Sequence, residues 1–390
     1  MLLGLATSPA LAQDTTHTPW TRQVIESTKL GESRTIYVAT PASYAGRAQR
    51  YPVLVLLDAN DQPQFSAAVA NIAFLANRGT IPELIVVGIG NGKDRTHDLT
   101  PIARGSTAKN FPTSGGAGPF VSFITDEVLP LVRSAYRTVP STIFAGHSFG
   151  GLVALHVAAA NPGAFNGVVA MSPSLWWNDS TAAMAYADSI AKTTSAVRLF
   201  ATSGGLEAVI DVPTRRFIAR LDSTRKPNVT LGHRHYPDDT HGLTPVPSLM
   251  DGLRFIFEPV WLTRTPVAAL NNKADSTAVV TAFLATQRQY ARGAQELGLP
   301  ETLPETFTNQ VAYQVLTGLK LHGAAIWLFR QNVASYPDSP NVYDSLGDGL
   351  LAAGDRAGAR AQFQRALDVG ARTGQPVAEE TRKKLAALGK

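Results

Sequence analysis

Residues 146–150 read Gly-His-Ser-Phe-Gly, a serine with a glycine two places before it and another two places after. A serine hydroxyl is a weak nucleophile until a base removes its proton. This spacing suits a sharp turn that lifts such a hydroxyl out of the end of a strand. The turn strains the serine backbone, and side chains at the glycine positions would crowd it. The apolar run 141–146 before the motif reads as a strand, and the small-residue stretch 151–161 after it reads as a helix. The N-terminus of that helix would favour negative charge developing beside the serine. The chemistry implied is acyl transfer through a covalent ester of Ser148.

The serine needs partners. In strand–turn–helix sites of this kind they follow in the order serine, acid, histidine. His241, in Pro237-Asp-Asp-Thr-His-Gly-Leu243, stands in a loop after the last expected strand and is the expected base. His233 and His235 alternate along that strand, and His156 falls on the helix after the serine, where packing accounts for it. His147 adjoins the nucleophile, where it would line the pocket or point away. The acid should follow the strand 196–204. Glu207 lies nearest its end and is preferred, with Asp211 the alternative; Asp222 falls within a helix. A negatively charged tetrahedral intermediate needs backbone donors. The amide of Phe149 is one, and Ala59, in the turn after the run 51–59, is the expected second.

These groups must be carried by a scaffold. Short runs that are apolar throughout, at 33–40, 51–59, 83–90, 141–146, 167–172, 196–204 and 229–237, suit strands buried on both faces. Helical patterns lie between them at 119–136, 151–161 and 213–224. Strands alternating with helices predict a doubly wound α/β sheet, occupying 13–265. Beyond Thr265 the strand-like runs stop. Leu316 and Leu350, Ala325 and Ala359, and Phe329 and Phe363 each stand 34 residues apart, the tetratricopeptide period. A small all-α tetratricopeptide-like domain is therefore expected over 301–390, joined through 266–300, which holds a helix at 276–297. Two repeats are too few to stand alone, so they should lean on the sheet domain or on another chain.

The 390 residues carry a net charge of +5 without basic blocks, which does not point to nucleic acid. Absence of cysteine excludes disulfides, thiolate nucleophiles and cysteine-based zinc sites. No metal, nucleotide or other cofactor motif is present: there is neither a His-Glu-x-x-His pair nor a P-loop. Residues 1–12 end in Ala10-Leu11-Ala12, the small-x-small pattern of a cleaved export signal, so a periplasmic or secreted location is expected. No run is long and apolar enough to span a membrane.

The segment from about Ser33 to Trp261 resembles the putative-esterase family of α/β-hydrolases, whose members include siderophore (enterochelin-type) esterases, feruloyl esterases and S-formylglutathione hydrolases. The resemblance rests on the runs 51–59, 98–101 (Asp-Leu-Thr-Pro), 146–156, 171–177 (Met-Ser-Pro-Ser-Leu-Trp-Trp) and the loop of His241. It implies a serine carboxylesterase of siderophore-esterase type acting on a small-molecule ester, with Ser148 and His241 in the triad. Glu207 is similar to a glutamate of that branch, although the first acidic position of the branch's Gly-Glu-x-Glu stretch is Gly205 here. Trp176 and Trp177 are expected to wall the pocket, and Arg95, with His97, to face an anionic group. Feruloyl or other acyl esters, acyl transfer to another alcohol, and a non-catalytic scaffold recruiting a partner through its repeats are the alternatives.

Overall fold

The computed structural model describes residues 20–389. The expected export signal lies outside the described residues. Eight strands form one sheet: β1 (Thr21–Ser27), β2 (Glu32–Ala39), β3 (Tyr51–Leu56), β4 (Ile85–Ile89), β5 (Thr138–His147), β6 (Gly167–Met171), β7 (Val197–Gly204) and β8 (Val229–Tyr236). Their order is β1-β2-β4-β3-β5-β6-β7-β8. From β4 to β8 neighbours run parallel, while β2 meets both β1 and β4 antiparallel. The α/β class is as expected. The antiparallel edge is an addition, because β1 alternates exposed and half-buried residues and does not read as a buried strand.

Helices cover both faces. They are α1 (Gln62–Asn77), α2 (Arg95–Leu99), α3 (Gly105–Asn110), α4 (Ala117–Phe123), α5 (Leu129–Ala135), α6 (Phe149–Ala160), α7 (Thr181–Lys192), α8 (Ala208–Thr224) and α9 (Pro245–Ile256). Beyond the sheet follow α10 (Ser276–Leu297), α11 (Glu305–Tyr313), α12 (His322–Ser335), α13 (Pro340–Ala352), α14 (Arg356–Thr373) and α15 (Glu379–Leu388). Successive strand residues point to opposite faces. On β3, Val53 and Val55 join Leu155, Ile190 and Phe217 of α6, α7 and α8 in one core. Leu54 and Leu56 join Phe65 of α1 and Leu253 of α9 in the other. Both faces being covered is why the strands are apolar throughout.

The second core does not stop at the sheet domain. It runs on through Phe283 and Leu297 of α10 to Phe329 of α12 and Phe363 of α14. A Cβ on Gly293 of α10 would collide with the Pro259 carbonyl, so α10 approaches the end of the sheet domain backbone to backbone. Ala325, Phe329, Ala359 and Phe363 are all fully buried. The helices thus share apolar surface with the sheet.

Candidate active site

β5 delivers its last residues to a turn that starts α6, and Ser148 occupies it. Its backbone has φ 61° and ψ −117°, a conformation L-residues rarely adopt. Three backbone hydrogen bonds hold it there. Its N–H donates to Met171 O at 3.0 Å, and its carbonyl accepts from Leu152 N at 3.0 Å and Ser174 N at 3.1 Å. The glycines have distinct tasks. A Cβ at Gly146 would overlap the Gly150 carbonyl. One at Gly150 would meet Leu57 and the Asp58 carboxylate at 3.3–3.4 Å, while one at Gly151 would lie 2.9 Å from Pro173 Cα. Gly151, outside the motif, is therefore needed to seat α6 against the segment after β6. The Ser148 hydroxyl lies 3.3 Å from that of Ser174.

His241 sits in the loop after β8, its side chain 39% exposed, and Glu207 caps the start of α8 with its side chain 4% exposed. The imidazole Nδ1 donates to Glu207 Oε2 at 2.5 Å. This bond puts the proton of neutral His241 on Nδ1 and leaves Nε2 free to accept one. Glu207 Oε1 accepts from the Ser172 hydroxyl at 2.6 Å and from the Gly204 amide at 2.5 Å. Burial alone would raise the Glu207 carboxyl, but the bonds from His241, Ser172 and Gly204 outweigh it and hold the group below the usual carboxylate range. Ser172 is itself buried with φ 41° and bonds Thr244 as well. A polar brace of Ser172 and Thr244 thus backs the acid, and no sequence motif singles out its members.

Asp211 is turned elsewhere. Its carboxylate accepts from Ser203 Oγ at 2.7 Å and lies 2.7 Å from Arg215 Nη2 and 3.1 Å from His235 Nδ1. His233 and His235 lie on β8, and His156 on α6 meets the Tyr186 hydroxyl. Glu207→Gln should lower kcat by about 10³–10⁴-fold, since an amide can present the wrong hydrogen-bonding partner to Nδ1. Asp211→Asn should leave kcat near that of the unaltered protein. Steady-state kinetics on the two variants decide between the carboxylates.

Ala59, Trp177, Arg95 and His97 stand elsewhere than the sequence leads one to expect. The Ala59 amide donates to Ile89 O at 3.0 Å, so it faces the sheet and is not a free oxyanion donor. Trp177 is fully buried and belongs to the core, so it is no pocket wall. Trp176 is half-buried and packs with Phe111 and Phe149, ring centroids 5.7 and 6.0 Å away. Arg95 is committed to Asp58, its Nε and Nη2 donating to the two carboxylate oxygens at 2.6 and 2.8 Å. His97, on α2, meets Thr113 O through Nδ1 at 2.6 Å, a contact with the segment between α3 and α4.

His147 packs its ring against that of His241, centroids 4.4 Å apart, and its Nε2–H donates to the His241 carbonyl at 3.0 Å. It grips the histidine loop instead of lining a pocket. Burial, assisted by the neighbouring His241, lowers its pKa from 6.5 to about 4. Unfolded, His147 would take up a proton near pH 6.5, whereas folded it stays neutral down to about pH 4. The unfolded chain therefore binds more protons within this window. Stability is fully present above it and falls as pH drops through it, by up to about 3 kcal/mol from this group. Burial lowers His156 and His233 in the same direction. His147→Gln keeps a donor for the His241 carbonyl and should flatten part of the slope, as measured by urea unfolding between pH 7.5 and 4.5.

The sheet order, the strained serine after β5 and a histidine loop after β8 define an α/β-hydrolase fold. The family model described as "Putative esterase" matches residues 27–280, and the chain belongs to that family. It is 34% identical over 170 residues to the ferri-bacillibactin esterase BesA of Bacillus subtilis, covering 38% of this chain and 56% of that one. It is 38% identical over 104 residues to the siderophore triacetylfusarinine C esterase of Aspergillus fumigatus, covering 24% of this chain and 34% of that one. The chain thus spans about half or less of the length of these relatives. An IroE-like serine hydrolase structure from Shewanella oneidensis superposes with a TM-score of 0.68 at 24% identity, over 80% of this chain and 98% of that one, and shares the fold.

Proposed function

We propose that this protein hydrolyses carboxylic esters of siderophore type through an acyl-enzyme on Ser148. The observation that carries this reading is the Glu207–His241 hydrogen bond, fixed by buried donors, in the fold that holds Ser148 in a strained turn. The Ser148 oxygen attacks the ester carbonyl carbon while its proton passes to His241 Nε2. The carbonyl π pair moves onto oxygen. Collapse of the intermediate breaks the acyl–alkoxy bond, and the imidazolium protonates the departing alcohol. Water, losing a proton to His241, then attacks the acyl carbon and releases the acid, restoring Ser148. Glu207 stabilises the imidazolium in both halves.

The oxyanion takes the amide of Phe149, which as the first residue of α6 has no helical acceptor. The second donor passes from Ala59 to Asp58, whose amide has no hydrogen-bond partner among the described residues. The half-buried rings of Phe111, Phe149 and Trp176 form an apolar wall suited to an aromatic acyl group. The similarity to BesA and to the Aspergillus enzyme supports a siderophore ester as substrate. All proposed catalytic groups precede Trp261, which supports 13–265 as the hydrolase unit, 266–300 as its connection and 301–390 as a supporting helical unit. No described helix is long and apolar enough to cross a membrane.

A panel of p-nitrophenyl esters, feruloyl esters and a ferric catecholate trilactone tests the reading. Cleavage of the trilactone with kcat/KM well above that for simple esters is expected. Preference for feruloyl esters, or transfer of the acyl group to an added alcohol in place of water, would redirect the substrate assignment. No turnover of any ester would defeat it.

A further inference from the structure

Two residues with strained backbones meet the first turn of α6. Ser148 is one, and Asp58, in the turn after β3, is the other, with φ 60°. A Cβ placed on Gly150, in the first turn of α6, would lie 3.4 Å from Asp58 Oδ2, so the carboxylate sits beside the nucleophile's helix. It is 14% exposed and gripped from one side. Arg95 Nε and Nη2 make a two-point bond to Oδ1 and Oδ2, and Asn91 Nδ2 donates to Oδ1 at 2.9 Å. Arg95 Nη2 also reaches the carbonyl of His147, the residue before the nucleophile, at 3.4 Å. Its guanidinium carbon lies 5.7 Å from the centre of the Phe149 ring, the residue after it.

From this arrangement we infer that Arg95 and the Asp58 side chain form a positioning pair for the oxyanion donors. The inference rests on the hydrolase reading above. The two-point bond holds Asp58 in its left-handed conformation, and with it the direction of the Asp58 amide. The reach to the His147 carbonyl links that turn to the elbow, so the donors from Asp58 and Phe149 keep a fixed separation. The pair has an electrostatic task as well. A bare carboxylate beside the place where an oxyanion forms would oppose the developing charge in a site of low dielectric, and the guanidinium cancels it. With two nitrogens committed to Asp58, Arg95 acts through the turn and not on substrate.

Arg95→Met, Arg95→Lys and the double variant Asp58→Asn/Arg95→Met separate the two tasks. Two readouts are needed: kcat and KM on a p-nitrophenyl ester, and the rate at which a fluorophosphonate labels Ser148. In labelling, the Ser148 oxygen–phosphorus bond forms, fluoride leaves with the P–F electron pair, and the serine proton passes to His241. Labelling needs the oxyanion donors but no particular substrate. Arg95→Met should lower kcat and the labelling rate together by about 100-fold, with KM within about twofold. The double variant, no longer carrying an unpaired carboxylate, should recover about tenfold over Arg95→Met. Arg95→Lys keeps the charge without the planar fork and should fall between; it also serves as the readout if Arg95→Met does not fold. Kinetics and labelling of Arg95→Met or Arg95→Lys equal to the unaltered chain would overturn the inference, as would a raised KM at constant kcat, which would make Arg95 a substrate contact. A double variant no faster than Arg95→Met would overturn the charge-cancelling role. An unaltered chain that neither turns over ester nor takes the label would instead defeat the hydrolase reading itself.

Discussion

Ser148→Ala should remove ester hydrolysis, lowering kcat by on the order of 10⁵–10⁶-fold, while the fold persists. Alanine keeps the Cβ that the turn already accommodates and the three backbone bonds to Met171, Leu152 and Ser174, and loses only the hydroxyl contact with Ser174 at 3.3 Å. Circular dichroism and the unfolding midpoint should match those of the unaltered chain. The small residual rate would come from the amides of Phe149 and Asp58, which the substitution leaves in place. Hydrolysis within tenfold of the original rate would mean that another group attacks the ester.

His241→Ala should cost about as much, because a base and its nucleophile act as one unit and losing either loses nearly everything. His233→Ala and His235→Ala should leave kcat within about threefold, since these side chains stand on β8 and His235 is turned to Asp211. Exogenous imidazole offers a further check: added at tens of millimolar, it should restore part of the His241→Ala rate and do nothing for Ser148→Ala. The loop has a second support in the His147 bond to the His241 carbonyl. A folded His241→Ala protein that stays active would move the base elsewhere.

The serine and histidine of this arrangement are legible in the sequence because their chemistry is tied to local pattern. A G-x-S-x-G stretch between an apolar run and a small-residue helix has few other uses, and the loop position of His241 follows from where β8 ends. The carboxylate partner of His241 is harder to read, because Pro213 looks like a helix start. It lies inside α8, which begins at Ala208. That shift places Asp211 in the first helical turn, where its carboxylate faces Ser203 and His235, and leaves Glu207 at the cap facing His241. Ala59 is not free to act as the expected donor, because its amide is taken by the Ile89 carbonyl. That bond joins two segments distant in sequence, and no local pattern reports it. Trp176 and Trp177 illustrate the same limit: both pack on Phe111 and Phe149, but one is half-buried and the other fully buried, which residue type cannot report. The grip of His147, the hydroxyls of Ser172 and Thr244, and the bond between Asp58 and Arg95 depend on contacts between segments distant in sequence, and no local spacing reports them.

Acid-quenched single turnover traps the covalent intermediate on which the proposed hydrolysis depends. A p-nitrophenyl ester in slight excess is mixed with the protein, quenched within milliseconds and digested, and the peptides are weighed. One acyl group per chain is expected, on Ser148 within the peptide that joins β5 to α6, and none in Ser148→Ala. An acyl group on any other residue, or turnover by Ser148→Ala at an undiminished rate, would contradict it.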